Sequence, residues 1–99
     1  MSHSHSLKTA GLTPFSYHSD QPLFRVNSGV PLHEALGHAS DLLYIAKLLA
    51  KEAAFDRSSD RDAWASHYLV DMSKAVIDDA VKVLAVNASN AANEADVDA

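Results

Sequence analysis

The chain predicts an all-α fold: an antiparallel two-helix hairpin with a short extended segment before it. Three observations predict this. Apolar residues recur at steps of three and four from Leu32 to Ala53, a second such run spans Ala65 to Leu84, and the polar turn Asp56, Arg57, Ser58, Ser59 parts them. Helices of about 25 residues each, roughly 37 Å long at 1.5 Å per residue, joined by a short turn, pack as antiparallel neighbours.

Residues 1–20 are rich in Ser and His, hold Gly11 and Pro14, and carry neither a helical nor an alternating apolar period. They are read as a flexible amino-terminal arm, anchored if anywhere by Phe15 and Tyr17. A retained Met1 would let Ser2 and His3 chelate Cu or Ni, but the small Ser2 favours removal of that Met. The hairpin domain is placed at 21–86. It opens with one strand at about 22–27, because Leu23, Phe24 and Val26 favour extended backbone and Asn27, Ser28 and Gly29 follow as turn residues. With no second strand expected, this one either packs as extended chain or pairs with its copy in a second subunit.

The first helix is expected at about 31–55. Pro31 suits the first helical position, and Glu34 stands in the first turn against the positive end of the helix dipole. Its stripe is Leu32, Ala35, Leu36, Ala39, Leu42, Leu43, Ala46, Leu49, Ala50 and Ala53. Tyr44, Ile45 and Leu48 lie outside that stripe and widen the apolar surface beyond what one neighbour covers. Gly37 interrupts the helix at a propensity cost of about 1 kcal/mol and would admit another backbone closely.

The second helix is expected at about 60–86, with Ser59 and Asp62 approximating a capping box. Its main stripe is Ala65, Tyr68, Leu69, Met72, Ala75, Val76, Ala80, Val83 and Leu84. A second stripe, Val70, Ile77, Val81 and Leu84, follows a neighbouring face. His67, Asp71, Lys74, Asp78 and Lys82 form a polar strip read as the solvent side, with Asp71 spaced to pair with Lys74 and Asp78 with Lys82. Beyond Val86 the large apolar residues give way to acids, so residues 87–99 are expected as a disordered acidic tail.

With 99 residues the chain is one small domain. Thirteen acids against eight bases, a formal charge of −5, give no electrostatic reason to approach nucleic acid or an anionic membrane. The absence of Cys removes thiolate metal sites, disulfides and thiol chemistry. No secretory leader and no run near the roughly 20 apolar residues of a membrane span is found, so a cytoplasmic location is expected.

Candidate chemistry is thin. Glu34, His38 and Asp41 on the first helix and His67 and Asp71 on the second have the residue types of a metal site. Antiparallel pairing, however, sets His38 and His67 about ten residues apart along the axis, roughly 15 Å. The three Gly residues, Gly11, Gly29 and Gly37, cannot form a phosphate-cradling loop, and nothing supports a nucleophile elbow or an oxyanion hole. No catalytic residue, cofactor or metal site is therefore assigned, and no enzyme activity is expected. A helix-turn-helix reading fails because the helices are too long and the second is acidic. Trp64 either caps the core at the turn end, against Leu49, Ala53 or Phe55, or serves as an interface anchor.

The run from Leu23 through Phe24, Arg25, Val26, Asn27, Ser28, Gly29, Val30, Pro31 and Leu32 to Glu34, Ala35 and Leu36 has a distinctive extended Phe-Arg-Val part. With Ala63, Trp64, Ala65, His67, Tyr68 and Leu69, it resembles a family of small bacterial proteins classed only as a domain of unknown function. That resemblance covers roughly Leu23 to Val86 and implies a fold without a reaction.

One hairpin leaves its outer apolar residues wet, and small chains seldom gain enough stability from a thin core. The expected function is that of a homodimeric protein-interaction or regulatory module, with itself and another protein as partners. Two hairpins would form a four-helix bundle through Phe24, Val26, Ile45, Leu48, Val70, Ile77 and Val81. The alternatives are a small-molecule or metal-binding bundle, with its ligand near His38, Tyr44 or His67, and a transcription-associated regulator.

Overall fold

A computed structural model describes residues 7–56 and 60–98. The chain runs β1 (Pro14–His18), β2 (Gln21–Arg25), α1 (Leu32–Phe55) and α2 (Asp60–Asp98). The fold is mostly helical, two long helices packed on each other beside a small antiparallel sheet. Residues 1–6 and 57–59, and with them the His3 chelation site, the middle of the polar turn and the Ser59 cap, lie outside the described residues.

The amino-terminal arm and the solitary strand are corrected together. β1 and β2 form a hairpin in register Phe15↔Phe24 and Tyr17↔Pro22, joined by Ser19 and Asp20. Ser19 has φ +55°, the positive φ that tight hairpin turns require at their first central position. Phe15 stacks on Phe24 with ring centroids 5.6 Å apart, a cross-strand pair of the kind that stabilises a sheet. The partner for the ladder groups of β2 is thus found within the chain itself.

Upstream of β1, residues 7–13 run beside the segment leading into α1. The Thr9 N–H donates to the Val30 carbonyl at 2.8 Å, and the Val26 N–H to the Thr13 carbonyl at 3.0 Å. Pro31 stands just outside α1 rather than in its first position, and it offers no side-chain cap. The Leu32 N–H, a donor with no partner inside the helix, instead donates to the Leu7 carbonyl at 3.0 Å. Gly11 makes this path possible. It sits at φ +74°, and a Cβ there would come within 2.9 Å of the Ser28 Cβ.

The seam between the helices is a regular alternation of threes and fours. On α1 it is Leu32, Ala35, Ala39, Leu42, Ala46, Leu49 and Ala53, and on α2 Ser66, Leu69, Ser73, Val76, Ala80 and Val83, all buried or half-buried. Small side chains bring the backbones close, so that the Ser66 hydroxyl reaches the Ala46 carbonyl at 3.0 Å. The Ser73 hydroxyl, wholly buried, donates back to the Leu69 carbonyl at 2.7 Å.

α2 continues to Asp98, so the expected disordered tail at 87–99 is corrected to a helical extension through Asp98. Ala88, Ala91, Ala92 and Glu94 are strong helix formers, and the packed part of α2 supplies the nucleus that an isolated segment would lack. This extension gives the molecule extents of 63 × 31 × 19 Å and a radius of gyration of 17.3 Å, against roughly 13 Å for a compact chain of 100 residues. Among the described residues no helix is long and apolar enough to cross a membrane.

Candidate functional site

Asp79 positions the amino-terminal lobe. Its side chain is 0 % exposed, and its carboxylate accepts the Ala10 N–H at 2.7 Å, the Leu12 N–H at 3.0 Å, the Thr13 hydroxyl at 2.9 Å and the Gly11 N–H at 3.4 Å. Burial pushes its pKa up, but the donors from Ala10, Thr13, Leu12 and Gly11 together outweigh that, and the carboxyl is held below its ordinary range. The Thr13 hydroxyl also accepts from the Lys82 ammonium at 3.1 Å. The neighbouring Asp78 differs entirely. It meets the Lys74 ammonium at 2.7 Å on the surface, and that contact, ahead of other influences, raises the Lys74 pKa.

These contacts correct the polar strip. Asp78 pairs with Lys74 and not with Lys82, which turns to Thr13. Nor is the whole strip open to solvent, because β1 lies across it and shares a groove with Asp71, Lys74 and Asp78.

At 100° per residue, the positions on either side of the seam divide the helical pair into two flanks. His38 and Ile45 on α1, with Met72 and Asp79 on α2, belong to the flank that the amino-terminal lobe packs upon. His38 and Met72 line one cleft with Thr9, Phe15 and Val26. Leu36 and Leu43 on α1, with Val70, Ile77 and Leu84 on α2, belong to the opposite flank, and Val81 borders it. All six are exposed, Ile77 at 37 %, Val70 at 44 % and Val81 at 58 %.

The residues expected to share one interface therefore divide. Val70, Ile77 and Val81 share the open flank. Ile45 and Leu48 face the other side of α1, Phe24 is exposed on β2, and Val26 lines the cleft. A methyl group added at Gly37 would meet nothing within 4 Å, so among the described residues no backbone from outside the helix approaches it there. Trp64 does not cap the core. It is 61 % exposed and sits among His67 and Tyr68 at centroid distances of 5.8 and 6.1 Å. Among the described residues no three His, Cys, Asp or Glu side chains gather where one metal ion could be held.

The cleft of about 480 Å³ lies between the β-hairpin and the helices. Val30, Leu42, Met72 and Val76 are its apolar lining, and Arg25, Glu34 and His38, all exposed residues, are its charged and polar lining. Residue patterning points to a ligand near His38 but not to Asp79, the group that docks the lobe forming the cleft's far wall. The available signal is an acid within one turn of Ala75, Val76, Ala80 and Val83, beside a second acid already supplied with a lysine.

Comparison with curated proteins finds no match, and comparison with solved structures finds none. A family model does match, over residues 9–83, so it takes in the amino-terminal segment from Thr9 as well as the helical pair. The chain therefore belongs to the family described as "Protein of unknown function (DUF3077)".

Proposed function

We propose that the chain acts as a homodimeric protein-interaction module, two copies meeting along the open flank to make a four-helix bundle. The observation that carries this reading is the exposure of Leu36, Leu43, Val70, Ile77, Val81 and Leu84 together on one side of the molecule. The seam within one chain buries mainly Ala and Ser, and Leu32 is the single large apolar side chain buried among the described residues. Apolar area of that extent on a small chain is characteristic of a contact surface. The amino-terminal lobe supports the same reading, because it occupies the Asp79 flank and leaves the other uncovered. The proposed interface is accordingly Val70, Ile77 and Val81 with Leu36, Leu43 and Leu84, while Ile45 and Leu48 fall outside it.

Sedimentation equilibrium at micromolar concentration tests the proposal. A dimer is expected for the unaltered chain. Ile77→Glu should weaken it at least tenfold, since burying one such side chain contributes about 1.5–3 kcal/mol and a two-fold interface loses it twice. Ile45→Glu should leave the dimer intact. A chain that sediments as a monomer throughout rejects the reading.

A further inference from the structure

We propose that the cleft between the β-hairpin and the helices binds a zwitterion with a large apolar side chain, that is, an apolar α-amino acid or a short peptide of such residues. Its volume of about 480 Å³ falls within the roughly 300–1,000 Å³ usual for small-molecule sites. Its apolar lining is formed by the half-buried Phe15, Val30, Leu42 and Val76 and the exposed Met72. Its lining also carries opposite charges on two exposed residues, Arg25 from β2 and Glu34 from α1. Among the described residues neither has an ion-pair partner. A carboxylate at Arg25 and an ammonium at Glu34 would engage both charges at once while the side chain enters the cleft, an arrangement that neither a simple anion nor a simple cation satisfies.

The site is built in advance. The Thr9 hydroxyl donates to the Asn27 carbonyl at 2.6 Å and accepts the Val30 N–H at 3.0 Å, which fixes the wall that Val26, Asn27 and Val30 present. Phe15 is held by its stack on Phe24, and Asp79 anchors the segment that precedes it. A ligand entering such a site need not order its walls, a cost that otherwise subtracts from affinity. The cleft lies on the flank opposite the proposed dimer contact, so binding does not rest on that reading.

Calorimetric titration of the full chain tests this with four probes: L-phenylalanine, 3-phenylpropionate, which lacks the ammonium, phenethylamine, which lacks the carboxylate, and glycine, which lacks the ring. Phenylalanine is expected to bind about tenfold more tightly than either half-molecule, as befits one charged hydrogen bond to an exposed residue, and glycine to give no heat. Arg25→Ala should erase the preference over phenethylamine, Glu34→Gln the preference over 3-phenylpropionate, and Met72→Trp should block all binding. Ile77→Glu should bind phenylalanine unchanged. L-leucyl-L-phenylalanine, used in parallel, binds more tightly than phenylalanine if the natural ligand is a peptide and more weakly if it is the free amino acid. Phenylalanine no tighter than its half-molecules, preferences that survive both charge variants, or no binding by any probe would overturn the proposal.

Discussion

Replacing Asp79 by Asn tests whether one carboxylate holds the amino-terminal lobe in place. The carboxylate accepts three short hydrogen bonds, from Ala10, Leu12 and Thr13, and a longer one from Gly11. The amide of Asn keeps the shape but has one accepting oxygen, and its NH₂ group would face backbone N–H donors. Bonds to a charged acceptor contribute about 1.5–3 kcal/mol against 0.5–1.5 for a neutral one, and an orphaned buried donor costs about 1–3 kcal/mol. The smaller desolvation cost of the neutral group offsets part of this. Together these set a destabilisation of about 3 kcal/mol, a large share of the 5–15 kcal/mol typical of small domains.

Asp78→Asn is the internal control. It removes only an exposed pair, within the 0–1 kcal/mol range of such contacts. The assay is urea unfolding followed by circular dichroism, joined to hydrogen exchange at the Leu12 amide. Acid supplies a second test. Because the folded pKa of Asp79 is depressed, its stabilisation is complete above the unfolded value of about 3.9 and is lost as pH falls through the folded value. The gap between the unaltered chain and Asp79→Asn should accordingly be full at pH 7 and close below about pH 4. Equal midpoints at pH 7, with equal protection at Leu12, would mean that the Asp79 carboxylate does not hold the lobe.

Two further outcomes follow from the packing. Gly11→Ala should destabilise the chain by about 1–3 kcal/mol, because the new methyl meets Ser28 and the backbone sits at positive φ; the urea midpoint reads this. Ala39→Leu, at a seam position 1 % exposed, should cost a similar 1–3 kcal/mol by overpacking, while Leu43→Met on the open flank should leave the thermal midpoint of the monomer unchanged.

Much of the helical pair is legible in the residues. Within the stripe from Leu32 to Ala53, the residues Leu32, Ala35, Ala39, Leu42, Ala46, Leu49 and Ala53 form the face of α1 that is covered, while Leu36, Leu43 and Ala50 beside them stay exposed. Only one face of a helix can meet a single neighbour. On α2 the same logic fails in part, since Ser66 and Ser73 occupy seam positions where the eye looks for Leu. Close backbone approach favours small side chains there, and a serine that bonds a helix carbonyl exposes no unsatisfied polar atom. β1 escapes such a reading because Phe15 and Tyr17 give only two alternating positions amid Pro, Ser and His, and strand pairing depends on residues elsewhere in the chain. Asp79 is unreadable for a similar reason. Its four donors lie 66 to 69 residues away, so although its apolar neighbours within one turn set it apart from Asp78, nothing near it in the residue string shows what it holds.

That separation orders the birth of the molecule. Ala10 to Thr13 leave the ribosome well ahead of the carboxylate that receives them, which is polymerised 66 to 69 positions later. Until then these four residues can pair only with the nearby chain, through contacts such as Thr13 with Val26, while α1 forms locally. Closing so long a loop onto Asp79 comes late in folding. Residues made before either helix are therefore among the last to find their place, and a ribosome stalled before Asp79 would display Ala10 to Thr13 without their acceptor.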